Sequence, residues 1–179
     1  MSSVLLRGSI EKAEIYFPVR WKRVELATDT EGPGEFTGCT GTYTEMVQET
    51  KEGVPAFVMT GNSDGQRFPP PGVMGGGSGR PAEMYLESTD GERRVLRTMD
   101  NVPIYPGEKC ITLASGGGGW GDPLNRTVER VRDDVMDLLV SAKRAKDVYG
   151  VIIDPGTFDV DQGATEKLRK EKKAMKKNS

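Results

Sequence analysis

The 179-residue chain contains no histidine. That absence excludes a self-contained Ser-His-Asp triad and any histidine-ligated zinc or iron centre. It also removes the usual general base near neutral pH, so proton transfer would fall to a carboxylate, a lysine or another chain. Cysteine is almost as scarce. Cys39 and Cys110 lie far apart, form no metal-type spacing and are too few to staple a secreted domain. Neither sign of charge dominates: the net charge is -2, which gives no electrostatic reason for nucleic acid to be the main partner. No apolar run approaches membrane-spanning length, and Met1–Arg7 is too short and too quickly polar for a signal peptide. A cytoplasmic protein away from membranes is expected.

What is present reads as an α+β chain, a β-rich body followed by a helical C-terminal segment. Hydrophobic residues make up 35% of the sequence, enough for one modest core. Short β-branched or aromatic runs at Ile15–Phe17, Trp21–Leu26, Thr40–Gln48 and Ala56–Met59 predict strands, with Pro18 marking an edge or bulge. Met84–Leu96 predicts a hairpin around Asp90-Gly91. Pro106-Gly107-Glu108 predicts a turn into a strand over Lys109–Ala114. The period then changes. Val128, Val131, Val135, Leu138 and Leu139 form one helical stripe with Thr127 as N-cap. Ser141 caps a second short helix ending near Gly150, Val151–Ile153 is extended, and a last helix starts near Gln162. The basic run Lys167–Lys177 is expected to be a solvated or frayed end.

Three glycine-containing segments invite chemical readings, and each has a plain structural alternative. Gly61-Asn62-Ser63-Asp64-Gly65 has the letters of a nucleophile elbow. The prolines at 69–71 forbid the helix that motif needs, and there is no histidine, so a turn is expected. Gly77-Ser78-Gly79-Arg80-Pro81-Ala82 spells a loose dinucleotide fingerprint, but no helix pattern follows it, and a structural loop is expected. Gly116-Gly117-Gly118-Gly119-Trp120-Gly121-Asp122-Pro123 is the most unusual segment. Successive glycines lose much entropy on ordering, so their retention implies close backbone approach. Either the amides line a ligand or partner surface, or the loop packs tightly against a neighbouring chain with Trp120 as anchor. It lacks the Gly-Lys-Ser/Thr of a Walker A loop. The acidic residues Asp133, Asp134 and Asp137 read as a solvated helix face, and no cluster has metal-ligand spacing.

Taken in order, three segments resemble the C-terminal part of hydantoinase B-type subunits, the group shared by N-methylhydantoinase, 5-oxoprolinase and the acetone and acetophenone carboxylases. They are Asp29-Thr30-Glu31-Gly32-Pro33-Gly34-Glu35-Phe36-Thr37-Gly38, then Arg67-Phe68-Pro69-Pro70-Pro71-Gly72 through Gly75-Gly76-Gly77, and Gly116–Pro123. Arg132-Asp133-Asp134-Val135, Leu139-Val140-Ser141 and Tyr149-Gly150-Val151 follow at the family's spacing. The chain departs from the family at Pro71, where an aromatic residue is common, and at Thr37-Gly38-Cys39, where Arg-Gly-Gly is common.

The resemblance implies one hydantoinase B C-terminal-like domain over residues 1–163 and a lysine-rich tail, helical or disordered, over 164–179. It implies a small subunit of a multi-subunit ATP-dependent enzyme acting on a carbonyl substrate. That enzyme would be a ketone carboxylase or a cyclic-amide hydrolase of hydantoinase or oxoprolinase type. The chain would complete a split large subunit beside larger hydantoinase A-like and hydantoinase B-like partners. ATP and a divalent metal belong on those partners, and this chain holds no cofactor, metal or catalytic residue of its own. Substrate or interface roles fall to Arg67, Gly75, Gly76, Gly77, Gly116, Gly117, Gly118, Gly119, Trp120 and Asp122, with Arg67 suited to an anion such as bicarbonate or phosphate. The rival reading is a stand-alone β-rich binding or structural module without catalytic partners.

Overall fold

A computed structural model describes residues 8–49, 55–97 and 99–177, with only the backbone at Asn62, Met99 and Lys177. Met1–Arg7, read above as no signal peptide, and the last two residues of the basic tail lie outside the described residues. The fold is α+β, and the chain divides into two compact units: Met1–Glu25, Tyr43–Ser63 and Glu83–Thr112 in the first, Leu26–Thr42, Asp64–Ala82 and Leu113–Ser179 in the second. No described helix is long and apolar enough to cross a membrane.

The first unit is β-rich. Helix α1 (Ile10–Tyr16) opens it, capped by Ser9, whose side chain accepts from the Lys12 N–H at 3.2 Å. Ile15 and Tyr16, expected in a strand, therefore close a helix, because the Ser9 cap decides the conformation of the seven residues after it. Strands β1 (Val19–Leu26), β2 (Thr42–Gln48), β4 (Glu83–Glu87), β5 (Arg93–Val95) and β7 (Lys109–Leu113) form one sheet in the order β1-β2-β7-β4-β5. Strands β3 (Phe57–Asn62) and β6 (Met99–Ile104) form a separate antiparallel pair, with Val58 opposite Pro103 and Thr60 opposite Asn101. The expected hairpin is β4–β5, with Leu86 opposite Arg94 and Gly91 at φ 89 in its loop.

Alternation along the strands sorts the two faces of the larger sheet. Met84 and Leu86 of β4 and Cys110 of β7 pack with Leu96, Val102 and Ile104 into one buried cluster, flanked by Met46, Phe57 and Met59. Other positions carry a charge ladder, in which Lys109 bonds Glu87 at 3.0 Å and reaches Glu45 at 3.7 Å, and Arg93 bonds Glu87 at 2.7 Å.

The second unit carries the other helices. Helix α2 (Val128–Met136) is capped by Thr127, and α3 (Ala142–Asp147) by Ser141. Val131, Val135, Val140, Ala145, Tyr149, Val151 and Ile153 form its apolar cluster. The expected stripe breaks after Met136. Leu138 sits exposed at φ 59, and the Leu139 and Val140 amides both close onto the Asp134 carbonyl. Helix α4 (Gln162–Lys177) corrects the expectation of a frayed basic end. Arg169, Lys172, Lys173 and Lys176 fall at i, i+3, i+4 and i+7, hence on one face. They bond the carbonyls of Tyr149, Arg126 and Asp147 and the side chains of Asn125 and Asp122, at 2.8–3.0 Å. The basic row holds the helix down.

Candidate functional site

The glycines singled out in the sequence and Trp120 converge on three extended segments of the second unit, running through 29–39, 70–80 and 115–121. They are not pleated strands, yet their backbones bond one another directly. Gly32 N–H donates to Gly117 O at 2.8 Å, Gly119 N–H to Gly77 O at 2.9 Å, and Gly77 N–H to Pro33 O at 2.7 Å. Glycine is required because backbone meets backbone. A methyl group placed on Gly116 would stand 1.7 Å from the Thr30 carbonyl oxygen, and one on Gly118 would stand 2.0 Å from the Pro71 oxygen. The logic is that of the collagen axis, where only glycine fits. Three of the four amides in the glycine run are occupied inside the chain: Gly116 donates to Arg80, Gly117 to Cys39 and Gly119 to Gly77.

Trp120 closes this layer. It bridges Phe36 on one side and Val73 on the other, and its ring lies 5.6 Å from that of Phe36. Its backbone is clamped, while Phe36, Val73 and Trp120 leave about half their surface exposed. Gly75 adopts φ 92, and a methyl group there would stand 3.9 Å from the Asp122 amide. Gly75–Gly77, Gly116–Gly119, Trp120 and Asp122 thus form one neighbourhood. Arg67 is exposed and lies over the adjacent Phe68 ring at 5.3 Å. None of the described contacts joins it to that neighbourhood.

Asp122 accepts the Leu124 N–H at 3.0 Å, capping a single 3-10 turn at Pro123–Asn125, and bonds Lys176 at 2.8 Å. Burial pushes its pKa up, but the Lys176 and Leu124 hydrogen bonds outweigh that and hold the carboxyl below the usual range. The other two glycine motifs take no nucleophile or nucleotide geometry. Asp64-Gly65 is a turn with Gly65 at φ 85, and Gly77–Ala82 runs straight into β4 with the Gly79, Arg80 and Ala82 amides bonded internally.

Composition gave no sign of a buried carboxylate with two side-chain donors. Glu31 is 2% exposed, and its Oε1 accepts from Arg144 at 2.7 Å and from the Tyr149 hydroxyl at 2.9 Å. Burial, then the adjacent carboxylate, pushes the Tyr149 phenol far up, so it stays a neutral donor. Glu31 Oε2 has no partner among the described residues. A cavity of about 290 Å³ lies beside it, lined by Thr37, Cys39, Asp134 and Leu139 among others. Asp134 corrects the expectation of a solvated acidic face. It is paired with Arg126 at 2.9 Å, with its side chain only 15% exposed, and burial raises its pKa against the pull of Arg126. No sequence spacing announces these pairs, because Glu31 and Arg144 stand over a hundred positions apart. Among the described residues, no group of three or more carboxylates or cysteines could hold a metal ion.

Most of the chain is similar to parts of larger known proteins. The caprolactamase subunit beta of Pseudomonas jessenii is 35% identical over 165 residues, which is 90% of this chain and 28% of that protein. In three dimensions the chain superposes on the crystal structure of the ATP-dependent caprolactamase from the same organism with a TM-score of 0.74 at 31% identity. The superposition covers 91% of this chain and 28% of that one. A nucleotide-free acetone carboxylase structure shares the fold, with a TM-score of 0.80 at 19% identity over 96% of this chain and 27% of that one. The chain therefore spans about a quarter of the length of these relatives. The sequence profile of Hydantoinase B/oxoprolinase matches residues 1–123, and the chain belongs to that family.

Proposed function

We propose that this chain is a small subunit of a multi-subunit, ATP-dependent enzyme acting on a carbonyl substrate. The enzyme is a cyclic-amide hydrolase or a ketone carboxylase, and the chain completes a split hydantoinase B-type large subunit. The observation that supports this reading is the match itself: nine-tenths of the chain is 35% identical to part of a caprolactamase subunit. The chemistry of the sequence supports it. A chain without histidine has no ready neutral-pH base, and three of the four amides of its Gly116–Gly119 run are committed to its own fold. Larger hydantoinase A-like and B-like chains supply ATP binding and the divalent metal. The glycine layer with Trp120 and Asp122 serves the assembled enzyme as a rigid wall, and exposed Arg67 is its anion-binding candidate.

The test is purification of the chain in its native complex, with ADP release measured on a cyclic amide and on a ketone with bicarbonate. Co-elution of larger family chains with ATP turnover dependent on one of these substrates is expected, and the isolated chain shows no ATPase. Robust ATP hydrolysis by the chain alone overturns the subunit reading. A soluble monomer with no associated chains favours a stand-alone module.

A further inference from the structure

The first unit contains an unfinished sheet. Strand β3 is bonded to β6 on one side and, among the described residues, carries no strand on the other. Beside it lies a groove of about 490 Å³. Phe57 and Met59 of β3 form one wall, Ala13 and Phe17 another, and Met46 and Cys110 lie on the five-stranded sheet. Among the described residues strand β6 contributes nothing to this groove, so the groove follows the unpaired side of β3. The strand reads Phe57-Val58-Met59-Thr60-Gly61-Asn62, with no charge and no proline. Exposed edges are normally guarded by such residues, and β6 has both, in Asp100 and Pro103. A two-stranded sheet with one unguarded apolar edge is marginal by itself.

Helix α1 tells the same story from the other wall. None of its residues is buried, and Ile15 and Tyr16, with Phe17 after them, are 73%, 69% and 58% exposed. A helix of seven residues is not self-supporting and gains its stability from packing an apolar face. A small apolar ligand could fill the groove volume, but it would satisfy neither the backbone of β3 nor the exposed residues of α1. An extended polypeptide bonds the β3 backbone and packs on Phe17, which lines the groove with Ala13. The relatives supply the candidate, since about three-quarters of their length has no counterpart in this chain.

We infer that the β3 edge and the groove beside α1 receive an extended segment from the rest of a hydantoinase B-type fold, which adds a third strand to the β3–β6 sheet and sets alternate apolar side chains onto Met46 and Cys110. This rests on the subunit reading and specifies where the partner enters.

Hydrogen exchange of the β3 amides is compared between the free chain and the complex isolated from its native source, with partner chains identified by mass. At least tenfold slower exchange across Phe57–Met59 in the complex is expected. Val58, 66% exposed, offers a second arm: Val58→Lys guards the edge and should lower partner retention at least tenfold while leaving the free chain's melting temperature unchanged. Val95→Lys, at an 81% exposed position of β5, should do neither. Equal β3 exchange in the free chain and the complex overturns this inference and leaves the subunit reading standing. Protection that rises with the concentration of the pure chain assigns the edge to a second copy and also overturns it. Absence of any hydantoinase-type partner overturns both. If Val58→Lys fails to fold, exchange on the unmodified chain still decides.

Discussion

The two units are held together by different means. The first packs side chains: Met84, Leu86, Val102 and Ile104 fill its cluster, and their shapes can be exchanged within limits. The glycine layer of the second packs backbone on backbone, so there is no side chain to repack and no room for one. The same increment of volume should therefore be absorbed in one unit and be ruinous in the other.

The sharpest way to break this comparison is Gly116→Ala. The new methyl group would meet the Thr30 carbonyl at 1.7 Å, and a backbone oxygen cannot rotate away. The loss should exceed the ~1–3 kcal/mol of ordinary overpacking and prevent the second unit from folding. Gly118→Ala should behave likewise, whereas Gly117→Ala, whose nearest contact is 3.0 Å, should be milder. Thermal unfolding of all three variants checks the order, and equal melting temperatures would refute the crowded-backbone account.

In the first unit Ile104→Ala should cost about 2–5 kcal/mol by leaving a cavity, while Ile104→Val costs roughly 0.5–1.5 kcal/mol, read from urea midpoints. Glu31→Ala removes the partner of Arg144 and Tyr149, and a loss near ~3 kcal/mol is expected. Restoration by Glu31→Gln should be only partial, since the amide replaces one hydrogen bond but not the charge.

A smaller effect depends on pH. The Asp122 carboxyl is depressed in the folded chain, so its contribution is present above the ordinary aspartate value of about 3.9 and is lost as pH falls through the folded value. Asp122→Asn should flatten that part of the acid unfolding curve and cost less than about 1 kcal/mol at neutral pH, in keeping with a partly exposed pair. An unchanged acid slope would show that Lys176 does not hold this carboxylate in solution. The smallest change should be favourable. Gly163 lies in the first turn of α4, where an added methyl would meet only Asp161 Oδ1 at an ordinary 3.7 Å, and Gly163→Ala should add about 0.5 kcal/mol by reducing unfolded-chain entropy.

Local chemistry was legible where a residue acts on its immediate neighbours. Thr127 and Ser141 cap the helices expected of them, and the Asp90-Gly91 hairpin and the Lys109 strand lie where their patterns place them. Where a distant contact decides, the signal fails. Strand β6 carries Asp100, Asn101 and Pro103, poor strand formers that are extended only because β3 lies alongside. The lysine-rich helix read as a free end because its acceptors are distant in sequence, three of them backbone carbonyls that leave no trace in the spacing of charged residues. The candidate site was half legible. Runs of glycine announced close approach, but the partner surface being the chain's own backbone required coordinates. Glu31, between Thr30 and Gly32, carries no local pattern that points to Arg144 or Tyr149.

The glycine layer also bears on heat capacity. Folding there sequesters peptide groups with little apolar area, and exposing polar surface lowers the heat capacity of unfolding where apolar surface raises it, by about -0.26 against +0.45 cal/mol/K per Å². The layer thus subtracts from the curvature that the apolar clusters impose, and the second unit's stability should vary less steeply with temperature than its size suggests. Cooling, which weakens a packed apolar core, has less to act on in a layer joined through its amides.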